Sequence, residues 1–244
     1  MLSQRGAHQL IPCCPVLGYQ SRLRRVDLMI SLLYQEQWVL FSILLVAIVI
    51  ALSFHEFGHA WTARCFGDDT AERAGRLTLN PMAHIDPVGL LMVVLVGFGY
   101  AKPVPTDPRK FTSRYADLLV SAAGPGMNLL LAVVAINGYF LMIKFGWLSG
   151  SQEGPWVFCL YFTVLNLLLM LFNLLPIGAL DGHYILPYFL PRSWAQRYRY
   201  YNQRYGNLLL LGLIGLSILG VPVVSTLFSL AQTMVPWIMV VPVG

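Results

Sequence analysis

The sequence predicts an all-α membrane protein: a polytopic bundle of transmembrane helices with a short re-entrant or β-like segment near 88–105. Three observations predict it. Hydrophobic residues fill 57% of the 244 positions and charged residues only 11%, against about 25% charged in ordinary soluble proteins. The mean hydropathy is +0.65, so the natural solvent is lipid. The apolar residues fall into runs long enough to cross a bilayer, with Lys and Arg in the loops between them.

Residues 1–30 form an N-terminal tail with a basic cluster at Arg22, Arg24 and Arg25. The tail has no apolar core followed by a small-residue cleavage site, so it is a poor signal peptide. Residues 31–244 read as a single membrane-embedded domain. The first long apolar run, Trp38 to Ser53, continues to about Phe66 as one helix. A polar stretch follows, then Asn80-Pro81 and Asp86-Pro87. The run 88–100 is short and contains Gly89, Gly97 and Gly99, which suits a re-entrant or strand-like element better than a span. A second long helix is expected from Ala116 to Phe145 and a third from Trp156 to Leu175. Residues 183–205, with Pro187, Pro191 and several arginines, read as an interfacial loop. Leu208 to Val241 is apolar, with Pro222 kinking one helix or dividing two.

Seven Lys or Arg lie between residues 64 and 114 and four between 192 and 204, but none between 146 and 156. The positive-inside rule puts the first two stretches in the cytoplasm and the third outside. His55, His59 and Asp181 then share a depth near the cytoplasmic face of the cell membrane. An external N-terminus conflicts with Arg5, Arg22, Arg24 and Arg25. A translation start at Met29 would remove the conflict and leave residues 1–28 outside the native protein. The net charge of +5 has no aromatic-interleaved basic face behind it, so the partner is the lipid bilayer and not nucleic acid. Cys13, Cys14, Cys65 and Cys159 form neither a disulfide framework nor a thiolate metal site.

The chemistry lies in His55-Glu56-Phe57-Gly58-His59. Histidines four apart on a helix project from one face. They can hold one zinc ion, with Glu56 beside a metal-bound water whose pKa falls toward about 7. The structural alternative is a pair of surface histidines with an ion-paired glutamate. Three ionisable groups in one turn of an apolar segment are too costly for that. A catalytic zinc usually has a third protein ligand. Asp181, before Gly182, is the first candidate and His183 a rival. His84 and Asp86 read first as loop residues. Intact Glu56 argues against a non-catalytic metal-binding protein. The second long helix offers almost no ionisable residues between Asp117 and Lys144, which argues against a metal transporter.

Two separated motifs, His55-Glu56-Phe57-Gly58-His59 and Asn173-Leu-Leu-Pro-Ile-Gly-Ala-Leu-Asp181-Gly182, resemble the site-2 protease family of intramembrane zinc metalloproteases. Asn80-Pro81 through Asp86-Pro87, Ala101-Lys-Pro-Val-Pro105 and Ala123-Gly-Pro-Gly-Met-Asn128 resemble a compact bacterial subgroup without PDZ or CBS domains. The resemblance spans roughly Leu45 to Pro187. It implies His55, His59 and Asp181 as ligands to one Zn2+ per chain and Glu56 as general base. It also implies Asn173 near the active site, where an amide could donate to a developing oxyanion. Asn128 is expected to make a helix–helix polar contact. The implied activity is hydrolysis of peptide bonds in or near transmembrane segments of membrane-protein substrates. The run 88–100 is expected to pair with an unwound substrate strand by β-addition. Where relatives carry glycine or serine after Asp-Gly, this chain has His183.

Overall fold

A computed structural model describes residues 29–96, 99–150 and 152–241. The expectations for residues 1–28, including the basic cluster, fall outside that range. The described helices are α1 (Met29–Tyr34), α2 (Trp38–Cys65), α3 (Thr70–Arg73), α4 (Pro81–His84) and α5 (Pro87–Val96). They continue with α6 (Ala116–Lys144), α7 (Glu153–Asn173), α8 (Asp181–Ile185), α9 (Arg192–Ile218) and α10 (Val223–Ile238). Helices α2, α6 and α7 are long and apolar enough to cross a membrane. A fourth crossing results if α9 and α10, bent by 86°, count as one broken span. The chain is a multi-pass helical membrane protein.

Helix α6 lies at the centre, packed against α2 and α7. Lipid tails are as apolar as leucine, so helices in a bilayer associate through close packing rather than a hydrophobic gain. Ala47, Ala51, Ala60 and Ala63 of α2 are fully buried. A Cβ on Gly58 would stand 2.9 Å from Ala123 O, so the two backbones nearly touch. Ile136 and Leu167 fill the α6–α7 interface, and α10 closes over it with Ala231 and Val235. Inside the bundle the end of α10 needs partners for its free backbone groups. Asn137 supplies them: Nδ2 donates to Ile238 O at 2.8 Å, and Oδ1 accepts from Val240 N and Val241 N at 2.7 and 3.0 Å.

The short run near 88–105 resolves into two parts. Helix α5 has ten residues, about 15 Å at 1.5 Å per residue, too short to span. The chain then doubles back, and Ile85 pairs with Ala101 in a single antiparallel bridge. Gly89 allows this return, because a Cβ there would fall 2.0 Å from Tyr100 O. The strand-like character is therefore confined to the neighbourhood of the bridge. Residues 88–96 spend their backbone hydrogen bonds inside a helix, so they present no strand edge to a substrate.

One expectation is corrected. Residues 183–205 are not an interfacial loop but α8, a 3-10 turn (Leu186–Phe189) and the first half of α9. The prolines misled, because Pro187 and Pro191 stand where elements begin and no backbone N–H is needed. The Arg- and Tyr-rich segment after Pro191 is amphipathic, burying Asn202 and Gly206. Pro222 divides two helices rather than kinking one.

The polar loop after α2 is tied down by Asp68, which is fully buried. Its carboxylate accepts from Thr70 N at 3.0 Å, from Thr70 Oγ1 and from Asp107 N at 2.6 Å. Burial pushes this carboxyl up, but those hydrogen bonds and the Lys110 charge outweigh it and hold the pKa below its ordinary 3.8. The stabilisation is therefore complete above about pH 4, the unfolded value, and disappears as pH falls through the lower folded value. Thermal unfolding should show Asp68→Asn less stable than wild type at pH 7, with the gap closing below pH ~4. A gap independent of pH would exclude the charge as its source.

Candidate metal centre

Helix α2 carries His55 and His59 one turn apart, both buried, with their Nε2 atoms 3.1 Å from each other. Asp181, the first residue of α8, completes a group. Its Oδ2 lies 3.2 Å from His55 Nε2 and its Oδ1 3.3 Å from His59 Nε2. Among the described residues these three form a cluster able to hold a metal ion. His183 does not join it; its ring packs against Tyr184 and Tyr198. His84 is buried with Nε2 against Thr78 O at 2.7 Å. Asp86 caps α5, accepting from Val88 N and Gly89 N. Asp86 is the loop residue that the sequence suggested, whereas His84 ends the short helix α4; neither belongs to the His55–His59–Asp181 cluster.

Three features test whether a metal fits. First, a tetrahedral ion with bonds of about 2.05 Å places its donors about 3.3 Å apart, matching the spacings here. Second, Asp181 Oδ2 is buried without a hydrogen-bond partner, a cost that a cation would remove. Third, the space is kept open by Gly124 of α6. A Cβ there would stand 2.3 Å from His59 Nε2 and 2.6 Å from His55 Nε2.

The rings are also turned for coordination. His59 Nδ1 lies 2.7 Å from Val120 O; a carbonyl only accepts, so Nδ1 carries the proton and Nε2 a lone pair. Next along α6, Pro125 has no N–H to give Ser121 and crowds that turn. His55 Nδ1 lies 2.6 Å from Asn128 Oδ1. Asn128 thus makes the expected helix–helix contact, and its partner is one of the two histidines.

Asp181 is positioned from α9. Gly178, at φ +62, donates to Asn202 Oδ1 at 3.0 Å, and Asn202 Nδ2 returns a bond to Gly178 O at 2.9 Å. Tyr198 Oη donates to Pro176 O at 2.6 Å. At the other end of the turn, a Cβ on Gly182 would meet Leu174 O at 2.3 Å, so only glycine lets α8 start this close to α7. Glu56 is half-buried on α2 between the two histidines in sequence. Asn173 ends α7, with Nδ2 donating to Leu169 O at 3.0 Å; this bond stays within its own helix. The sequence reading missed Gly124, Asn166, Tyr198 and Asn202. Of these, Asn166, a polar residue in an apolar span, carried a signal, and Gly124 stood within the Ala123–Asn128 motif without being singled out.

A family model described as Peptidase family M50, the site-2 protease family, matches residues 43–155 and 135–213. "Putative zinc metalloprotease YwhC" of Bacillus subtilis (strain 168) is 42% identical over 151 residues, covering 61% of this chain and 69% of that protein. "Putative zinc metalloprotease Rip2" of Mycolicibacterium smegmatis is 34% identical over 149 residues, covering 59% of this chain. Rip2 of Mycobacterium tuberculosis (strain H37Rv) is 32% identical over 151 residues. The matched region spans little more than half the length of the two Rip2 proteins, 55% and 56%. No solved structure matches. The two matched segments together run from α2 through the Asp181 turn into α9, and on that ground the chain belongs to peptidase family M50.

Proposed function

We propose that the chain is an intramembrane zinc metalloendopeptidase that hydrolyses peptide bonds in or near transmembrane segments of membrane-protein substrates. The observation that carries this reading is the convergence of His55 Nε2, His59 Nε2 and the Asp181 carboxylate on one point between membrane-crossing helices, with Glu56 adjacent in sequence. Two neutral imidazoles and one carboxylate are a catalytic rather than a closed structural donor set, since a fourth position stays free. The relatives' names support zinc as the ion.

Zinc held by His55, His59 and Asp181 would supply Lewis acidity, lowering the pKa of a water and polarising a carbonyl. The protein's own groups do the rest. Glu56 takes the proton from the attacking water and later gives it to the leaving amine. Asn173 has a second amide hydrogen beyond the one on Leu169 O, and it donates that hydrogen to the developing oxyanion. The basic stretches 64–114 and 192–204 support a site near the cytoplasmic face, from which water reaches it.

The test is reconstitution with a transmembrane substrate, comparing wild type and Asp181→Ala with zinc quantified. Wild type is expected to hold one zinc per chain and to cleave. Asp181→Ala should lose the metal and the activity together, because two ligands remain. Zinc at full stoichiometry in Asp181→Ala would remove the third-ligand assignment.

A further inference from the structure

We infer that Asn166 and Asn128 form a positioning relay that decides which nitrogen of His55 is free to bind metal; this rests on the metal-site reading above. The direction of the relay follows from its far end. Phe162 O is a backbone carbonyl and can only accept, so the Asn166 atom 2.8 Å from it is the amide nitrogen. Asn166 Oδ1 therefore faces Asn128 and accepts from Asn128 Nδ2 at 3.0 Å. Ala51 O lies 3.5 Å from that same nitrogen, and it too can only accept. Asn128 must then turn its oxygen toward His55, 2.6 Å away. An amide oxygen has no proton to offer, so His55 Nδ1 carries one and Nε2 keeps its lone pair. Amide orientation is settled by such networks rather than seen directly; here two fixed carbonyls settle it.

The two histidines differ in a way that explains the relay. His59 is oriented by Val120 O, a backbone group that cannot reverse. His55 is oriented by a side-chain amide, which can. If Asn128 turned over, its NH2 group would face Nδ1 and the proton of His55 would move to Nε2, blocking coordination. Asn166 removes that freedom. Both asparagines are fully buried in membrane helices, where a polar side chain is costly and marks a function. Asn166 hydrogen-bonds Asn128 and Phe162 O and, among the described residues, makes no hydrogen bond to His55, His59 or Asp181, so it acts through Asn128 alone.

The experiment measures zinc affinity by chelator competition on the full chain in detergent, together with the visible spectrum of the Co2+-substituted protein. Asn166→Leu is expected to bind zinc about 10–100-fold more weakly, the usual cost of losing an outer partner of a ligand, with a shifted Co2+ spectrum. Asn166→Ser, too short to reach Asn128, should behave the same and guards against a folding failure. The decisive comparison uses Asn128→Asp, whose carboxylate presents an acceptor to His55 whichever way it turns. In that background Asn166→Leu is expected to cause no further loss. A structural role for Asn166 would cost the same in both backgrounds, and that result overturns the relay. Wild-type affinity in Asn166→Leu also overturns it. Full zinc content in His55→Ala overturns the metal-site reading, and the relay with it.

Discussion

Cleavage of a membrane-spanning substrate by the Glu56→Gln protein is expected to fall by about 10²–10⁴ while zinc stays at the wild-type level. The substitution keeps the shape of the side chain and removes only its ability to take and return a proton. Glu56 lies one position from His55, about 100° around the helix, so it stands beside the donor cluster and not in it. Metal content should therefore be unaffected. Tenfold in rate corresponds to 1.36 kcal/mol, so the expected change in barrier is about 3–5 kcal/mol. Single-turnover cleavage in proteoliposomes, with zinc measured on the same sample, separates the two quantities. Equal rates would overturn the general-base assignment. Loss of zinc would instead make Glu56 part of the binding site.

Gly124→Ala is expected to remove zinc from the protein even though it adds a single methyl group on a different helix. The added carbon would stand within about 2.6 Å of both imidazole Nε2 atoms, in the space where their lone pairs meet. Neither ring can swing aside cheaply, since one is held by Val120 O and the other by Asn128. Retreat of α6 would also give up its close packing on α2, which is tight enough that a Cβ on Gly58 would stand 2.9 Å from Ala123 O. Overpacking of this kind typically costs 1–3 kcal/mol, so the helices are expected to stay folded with zinc lost. Metal content after dialysis checks this, with Gly126→Ala as a control, since a Cβ at Gly126 meets nothing. Zinc retained in Gly124→Ala would show that α2 and α6 can separate.

Composition and apolar run length located the three long helices to within three residues of their observed ends, because lipid imposes a length and a backbone rule that sequence can express. The His55–His59 pair was legible for a local reason: four residues on a helix fix a common face. Asp181 was readable only as a turn aspartate at a similar depth, or through the Asn173–Gly182 motif. Beyond the expected contact of Asn128, what the sequence could not express was which residues meet across helices. Gly124 carries no chemistry of its own, and its importance exists only because α2 passes within contact distance. Asn202 and Tyr198 lay in a segment whose prolines suggested a loop, so their grip on the 176–178 turn had no sequence trace. The single bridge from Ile85 to Ala101 was likewise hidden, since the flanking run is apolar enough for helix or strand.

The paired hydrogen bonds between Gly178 and Asn202 have a consequence for biosynthesis. The two histidines are made early, on the first long span, whereas the turn that presents Asp181 is clamped by a residue synthesised more than twenty positions later. A nascent chain that has inserted α2, α6 and α7 has both imidazoles but an untethered carboxylate. On the proposed function, hydrolytic competence would therefore arrive last, once α9 has emerged and docked. During its own insertion, among other newly made membrane segments, such an enzyme would be unarmed.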